Sequence, residues 1–497
     1  MRAPVSRAIA IVVVAAGVTT ARAQIPPPQT QAPPSSKAVV LKGKAPVSDE
    51  LLRVKLPRPQ QATLPNGLQL MVLEDRRVPR ITLQLIVPGA GGYYDPADLP
   101  GLASVTSAMM REGTATRSSA QLSEQLDAMA ATLTVSTGMS SPDATVFGTC
   151  LTEHAGKLVD ILADVLLHPS FPEDELGRYK QRTRASLMQQ RSIAGFLGAE
   201  MFARVIYGTH PAGRISLTPD GLDKVTSKAM ADFHRTRYVP DHAAIAVAGD
   251  ISLGEARKLF ESRLAGWKLA GIAKPTVADP PEQGAMKVSF VARPKSVQTN
   301  LLVGTQAIDR THPDYDVLQV MNRVIGGGPT GRLFITLREE KGYTYGAYSN
   351  LTAGQWRGAW QASTEVRTEV TEAALKDLLA EIAQLREQPV PDGEFRDQKR
   401  AMVGSFALSL ENPQQMLSYH ITSWRFGLPA DYWDKYPARI DAVTQAQVQA
   451  AARKYLDPAR LQIVAVGEPA KVGDLLKNFG TVESYDTEGK RLTVSSN

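Results

Sequence analysis

The chain lacks several features that would fix its class at once. A single cysteine, Cys150, among 497 residues excludes an intrachain disulfide. A lone thiol of this kind is expected to act as a small buried hydrophobe. No apolar run approaches the roughly 20 residues needed to cross a bilayer. The seven histidines (His154, His168, His210, His234, His242, His312 and His420) are never three, four or five residues apart, which excludes a helical pair of imidazoles on one metal. Lysine and arginine, 56 against 50 acids, are scattered among those acids, so nothing resembles the basic stripe of a nucleic-acid binder.

What is present is the composition of a folded protein, with 43% hydrophobic and 21% charged residues. The length calls for more than one domain. Residues 1–23 read as a cleavable export signal: Arg2 and Arg7, an apolar run over residues 8–18, then Ala21-Arg22-Ala23 as a small-residue cleavage site. Cleavage there removes three arginines and no acid, so much of the formal charge of +6 belongs to targeting. A periplasmic location without a stable membrane anchor follows as an expectation. Residues 24–55, with Pro26, Pro27, Pro28, Pro33 and Pro34, read as an extended spacer.

Folded sequence is expected from about residue 56. The alternating runs at residues 68–73 and 81–87 read as strands, and the turn Pro65-Asn66-Gly67 before them suggests that the two form a hairpin. Residues 119–131, 153–167 and 173–190 carry helical patterns. The stretch from Val225-Thr226 through Tyr238 to Gly249-Asp250 recurs from Val443-Thr444 through Tyr455 to Gly467-Glu468. A second match, Pro172 to Lys180 against Pro391 to Lys399, has nearly the same offset. The chain therefore reads as two copies of one unit of about 200 residues. These are residues 56–269 and 285–480, joined by a Pro-containing linker at 270–284 and followed by a tail at 481–497.

The segment 101–114 reads Gly-Leu-Ala-Ser-Val-Thr-Ser-Ala-Met-Met-Arg-Glu-Gly-Thr. It resembles the metal-binding helix of the pitrilysin and mitochondrial processing peptidase family, whose H-x-x-E-H motif is flanked by the same Gly-Leu-Ala, Met and Gly-Thr. At the histidine, glutamate and histidine positions stand Ser104, Ser107 and Ala108. Two imidazoles at i, i+4 share a zinc and the glutamate handles the proton of its water; hydroxyls and a methyl do neither. The family's third ligand would fall near residues 183–185, which include no acid. Glu112 and Glu153 read as solvated helix residues.

Residues 325–345 contain Gly326-Gly327-Gly328, Arg332-Leu333-Phe334, Leu337-Arg338-Glu339 and Gly342-Tyr343-Thr344-Tyr345, and resemble the family's C-terminal half. There the last arginine and the tyrosine seven residues on, here Arg338 and Tyr345, grip substrate opposite the zinc. The resemblance makes Gly326, Gly327 and Gly328 a turn bordering the substrate chamber. No Lys-Ser/Thr follows the glycines, so a phosphate loop is excluded. Without the resemblance, Arg338 pairing with Glu339 or Glu340, and Tyr345 half-buried on a strand, explains the same residues.

The resemblance implies an α+β fold of two homologous halves, each an antiparallel-rich sheet covered by helices, which pairs clam-like with a partner of the same fold. It implies a zinc peptidase subunit with no metal of its own, whose partner carries the intact H-x-x-E-H and the zinc and whose substrates are unfolded or short peptides. A catalytically silent peptide-binding or scaffold protein is the alternative. A serine hydrolase using Ser104 or Ser107 lacks a visible base.

Overall fold

The computed structural model describes residues 50–492; the expected export signal and the spacer as far as residue 49 lie outside the described residues. Within them are two six-stranded mixed sheets. The N-terminal half holds β1 (Gln60–Thr63), β2 (Gln69–Glu74), β3 (Arg80–Pro88), β4 (Thr132–Ser136), β5 (Asp143–Leu151) and β6 (Ala244–Gly249). Its helices are α1 (Leu102–Met109), α2 (Ser119–Ala128), α3 (Ala155–Leu167), α4 (Glu173–Arg191), α5 (Ala194–Tyr207), α6 (Pro219–Lys224), α7 (Ser227–Arg237) and α8 (Leu253–Arg263). The C-terminal half holds β7 (Lys287–Ala292), β8 (Gln298–Gln306), β9 (Thr344–Leu351), β10 (Ala359–Arg367), β11 (Gln462–Gly467) and β12 (Val482–Tyr485). Its helices are α9 (Tyr315–Ile325), α10 (Arg332–Phe334), α11 (Thr371–Glu387), α12 (Asp392–Ser409), α13 (Pro413–Phe426), α14 (Tyr436–Ala442), α15 (Gln445–Tyr455) and α16 (Pro469–Val472).

The strand orders β2-β6-β3-β5-β4 and β7-β11-β8-β10-β9 are the same order written twice. The sixth strand differs: β1 is antiparallel to β2, whereas β12 is parallel to β7. The tail expected from residue 481 therefore begins as a sheet strand. The repeat landmarks have one structural meaning. Lys180 of α4 donates to the carbonyls of Asp223 and Val225 at the end of α6, and Lys399 of α12 donates to those of Asp441 and Val443 at the end of α14. Each cation thus satisfies carbonyls that a helix C-terminus leaves open. Thr226 and Thr444 then cap the next helix through their hydroxyls.

The expected hairpin of β2 with β3 does not form. β6 lies between them, parallel to β2 and antiparallel to β3. Residues 244–248 are buried on both faces, and a strand apolar on both faces belongs inside a sheet. The Asn66-Gly67 turn closes the β1–β2 hairpin instead.

Alternate residues of each sheet face different cores. Leu70, Val72, Leu83, Leu85, Ile245 and Val247 face the helices of their own half. On the opposite face, Met71, Leu73, Ile86, Ala244, Ala246 and Ala248 receive Met416, Leu417 and Ile421 of α13, a helix of the C-terminal half. Reciprocally, Leu197, Met201, Phe202 and Ile206 of α5 pack on Leu302, Val464 and Val466 of the C-terminal sheet. A Cβ at Gly198 would stand 2.5 Å from Asn300 Oδ1 and 2.6 Å from Leu302 Cδ1, so only glycine admits this approach. Each half therefore lends a helix to the other. At the end of α13, Arg425 meets the carboxylate of Asp143 at the start of β5, with side chains 21% and 5% exposed. Burial lowers the Arg425 guanidinium to about 10, so it stays charged at neutral pH.

The linker at 270–284 has no regular structure but is pinned along its length. Asp241 accepts the Ala270 and Ile272 amides. His210 Nδ1 accepts the Ala212 amide while Nε2 donates to the Ala278 carbonyl. Gln283 and Gln306 bond each other's backbone amides.

Candidate functional site

The degenerate metal helix is α1. Asp95, 8% exposed, accepts the amides of Gly101 and Ala103 at 2.6 and 2.7 Å, which satisfies two of the four open donors at the start of α1. Burial nevertheless raises this carboxyl from its ordinary 3.8 to about 6, against the lowering effect of the two amides. Val105, Thr106 and Met109 face the core, while Ser104 and Ala108 lie one turn apart and partly open. Ser107, 2% exposed, donates to the Ser104 carbonyl at 2.9 Å, so its hydroxyl is consumed inside its own helix. At the place of the family's third ligand, on α4, stand Thr183, Arg184 and Ala185, none of them an acid. Glu112 lies in the bend after α1 rather than on a helix. It accepts the Ser119 hydroxyl and faces Arg182 at 3.8 Å, so it is a held carboxylate and not a solvated one. Glu153 is solvated, with a side chain 73% exposed.

The family's zinc does not fit this set: nothing on the open face of α1 or beside it offers nitrogen, sulfur or carboxylate in the required grouping. Among the described residues no group of three or more His, Cys, Asp or Glu could hold a metal ion. His210, His234 and His242 each direct Nε2 to a backbone carbonyl, which is a structural use of the ring. Cys150 is 3% exposed and burial pushes its thiol up to about 11, far from a nucleophile.

Arg338 and Tyr345 are brought together, each by an irregularity in the backbone. Helix α10 runs into a π-helix at Ile335–Glu340, marked by the Lys341 amide donating to the Thr336 carbonyl five residues back. Leu337 anchors this wide turn in the core with no exposure, and Arg338 projects from it. The turn is held at its start by a bidentate pair from Arg332 to Glu394 at 2.7 and 3.0 Å, and at its middle by Thr336 donating to Glu381 at 2.6 Å.

Tyr345 sits on β9, an edge strand bonded only to β10. Plain alternation with the buried Ala347, Ser349 and Leu351 would turn Tyr345 into the core. The register shifts instead: Thr364 pairs with Ala347 and Val366 with Thr344, so Tyr345 and Gly346 oppose Glu365 alone. This β-bulge throws Tyr345 outward to 90% exposure. The half-buried strand position that the bare sequence also allowed is overturned.

The two side chains meet with the Arg338 guanidinium carbon 5.0 Å from the Tyr345 ring centre and 4.7 Å from that of Phe334. The pairing with Glu339 is loose at 3.6 Å, so it does not occupy the fork of the guanidinium. A planar cation held between two aromatic faces keeps its in-plane donors for a carbonyl or carboxylate, and an exposed phenol beside it is a further donor.

Gly326, Gly327 and Gly328 form the turn between α9 and α10, with Gly326 buried and the other two partly so. Arg323 donates to the Gly327 carbonyl at 2.8 Å, and Gln398, 4% exposed, donates to the Thr330 carbonyl at 2.7 Å. The Gly326 carbonyl accepts the Ser349 amide of β9. Cβ atoms at Gly326, Gly327, Gly328 and Gly331 would each fall under 3.0 Å from a neighbour. The turn is thus fastened to the strand that carries Tyr345.

Residues 70–210 match the family model described as Insulinase (Peptidase family M16), and residues 224–402 match that described as Peptidase M16 inactive domain. The chain belongs to peptidase family M16. Within M16 it is similar to an uncharacterized zinc protease of Bacillus subtilis, YmxG, at 25% identity over 360 residues, covering 72% of this chain and 85% of the relative. An uncharacterized zinc protease of Mycobacterium leprae is 24% identical over 416 residues, covering 80% and 89%. Among solved structures, a peptidase M16 inactive domain from Pseudomonas fluorescens superposes with a TM-score of 0.75 at 27% identity, covering 82% of this chain and 98% of that one. A protease from Helicobacter pylori, at 19% identity and a TM-score of 0.74, shares the M16 fold over 83% of this chain and all of its own. The two-half α+β architecture is that of the family.

Proposed function

We propose that this chain is the metal-free subunit of a two-chain M16 zinc peptidase of the periplasm, and that it contributes Arg338 and Tyr345 to the hydrolysis of unfolded or short peptides. Its partner is a protein of the same fold with an intact H-x-x-E-H, which carries the zinc. The observation that carries the reading is the pairing of two backbone irregularities, a π-turn under Arg338 and a β-bulge under Tyr345, which bring both side chains to one open surface. π-turns are frequent at functional sites, and β-bulges are over-represented at sheet edges and beside active sites. The guanidinium is suited to hold a substrate carbonyl or carboxylate and the phenol to donate to a developing oxyanion. Ser104, Ser107 and Ala108 leave binding and orientation as this chain's share.

The test is to purify the chain alone and together with an H-x-x-E-H protein of the same source, then follow cleavage of a quenched peptide. Cleavage is expected only in the mixture, and Arg338→Ala or Tyr345→Phe should lower it about 10²-fold or more. Stoichiometric zinc on the isolated chain, or cleavage untouched by both substitutions, overturns the proposal.

A further inference from the structure

We propose that a cavity of about 420 Å³ between α5 and the outer face of the β9–β10 hairpin is a second substrate subsite, which takes a large apolar side chain of an extended peptide about five residues from Tyr345. The proposal rests on the peptide-handling reading given above, and it deepens that reading by naming a substrate class. Helix α5 covers β8 and β11 but stops short of β10 and β9, whose outer face stays open.

The cavity floor is made of small residues, Ala199, Ala203, Ala212 and Ala359. Its walls are the rings of Phe202, Tyr207 and Trp356. These walls are fixed before any ligand arrives. Trp356 stacks on Tyr93 at 5.4 Å and meets the edge of His210 at 5.4 Å, and the Tyr207 ring lies 6.4 Å from that of His210. A preformed apolar pocket spares the entropy of ordering its own walls when it fills.

The mouth identifies a peptide as the occupant. Asn350 and Gln361 face each other in the β9–β10 register on the outer face, and both line the opening. Among the described residues neither carboxamide has a hydrogen-bond partner, so two donor and acceptor pairs stand ready for a peptide backbone. Among the described residues the outer edge of β9 is itself unpaired, which is where an extended segment adds to a sheet. At about 3.3 Å per residue, the step from Tyr345 to Asn350 is roughly 17 Å, or five residues of extended substrate. A volume of about 420 Å³ accepts a phenylalanine or leucine side chain with the backbone that flanks it.

The test uses the full chain and two fluorescein-labelled twelve-residue peptides of Gly, Ser and Thr, identical except for a central Phe or Ser, read by fluorescence polarisation. The Phe peptide should bind at least about tenfold more tightly, the effect expected from burying most of one such side chain. Ala199→Phe, which fills the cavity from its floor, should abolish that preference. Gln361→Ala, an open-face change that leaves the core intact, should weaken both peptides about threefold or more. Equal binding of the two peptides, or a preference that survives Ala199→Phe in a chain with unchanged circular dichroism, overturns the subsite. Phe-dependent binding without cleavage in the two-protein mixture would keep the subsite and remove the enzymatic reading, so the two failures are distinct.

Discussion

Replacing Leu197 by alanine should weaken the half of the molecule to which Leu197 does not belong. Leu197 lies on α5 in the N-terminal half, is 2% exposed, and packs in one cluster with Leu302, Val464 and Val466 of the C-terminal sheet. Removing a buried leucine side chain costs about 2–5 kcal/mol, depending on how far the surroundings collapse. Collapse is limited here because Gly198 already brings the helix backbone against Asn300 and Leu302. A loss of about 3 kcal/mol is the reasonable middle value, and it raises the opening equilibrium by about two powers of ten. The assay is native-state hydrogen exchange followed by mass spectrometry, under conditions where exchange reports that equilibrium. Amides of β8 and β11 should lose about 10²-fold in protection together with α5, while β3 and β5 change far less. The mirror substitution, Leu417→Ala on α13, should expose β3 and β6. If Leu197→Ala frays α5 and the N-terminal sheet but leaves β8 and β11 protected, the exchanged helices do not couple the halves and the reasoning fails.

Arg425→Met should strand the buried Asp143 carboxylate without its cation and lower stability by about 3 kcal/mol, measurable as a urea midpoint shift at constant slope. Glu394→Ala, which frees a guanidinium 12% exposed, should cost about 1–2 kcal/mol, between the values of surface and buried pairs. In the two-protein mixture it should also reduce cleavage, because Arg332 fastens the turn that carries Arg338. The raised carboxyl of Asp95 holds its proton more tightly in the folded chain than in the unfolded one. Its contribution to stability therefore falls as pH rises from about 4 to about 6, by at most about 3 kcal/mol. Asp95→Asn should flatten that part of the stability profile, and a carboxyl resonance titrating near 4 would contradict the assignment.

The repeat was legible because it is written in residues with fixed local roles, a lysine that satisfies two carbonyls and a threonine that caps the next helix. The α1 motif was legible because its flanks pack whether or not a metal is bound. Strand partners were not legible, since neighbours in sequence favour a hairpin, and only the two-faced burial of Ala244 to Ala248 explains why β6 intervenes. The exchange of α5 and α13 escaped for the same reason: periodicity shows that a helix has an apolar face without saying whose sheet receives it. The π-turn and the bulge are differences of one residue in register, invisible in a pattern read residue by residue. They nevertheless decide whether Arg338 and Tyr345 touch.

The substitutions on α1 make sense as a matched set. Position 107 is 2% exposed, and a glutamate there without a metal or cation beside it would bury an unpaired charge, at a cost of several kcal/mol. Serine avoids that cost and satisfies its own hydroxyl on the Ser104 carbonyl. Ser104 and Ala108, on the partly open face, likewise carry no charge that lacks a partner. Helix α1 therefore keeps its packing without requiring a ligand. On the opposite half the chain bears the reverse expense. It holds a guanidinium between two rings, leaves a tyrosine 90% exposed and bends both supporting elements out of regular geometry to do so. Packing alone gives no reason for that arrangement, because a straight β9 would have buried Tyr345. The irregular backbone falls where the proposed substrate clamp would need it and is absent where the metal ligands would have stood, which is the pattern the proposal of one jaw of a shared active site predicts.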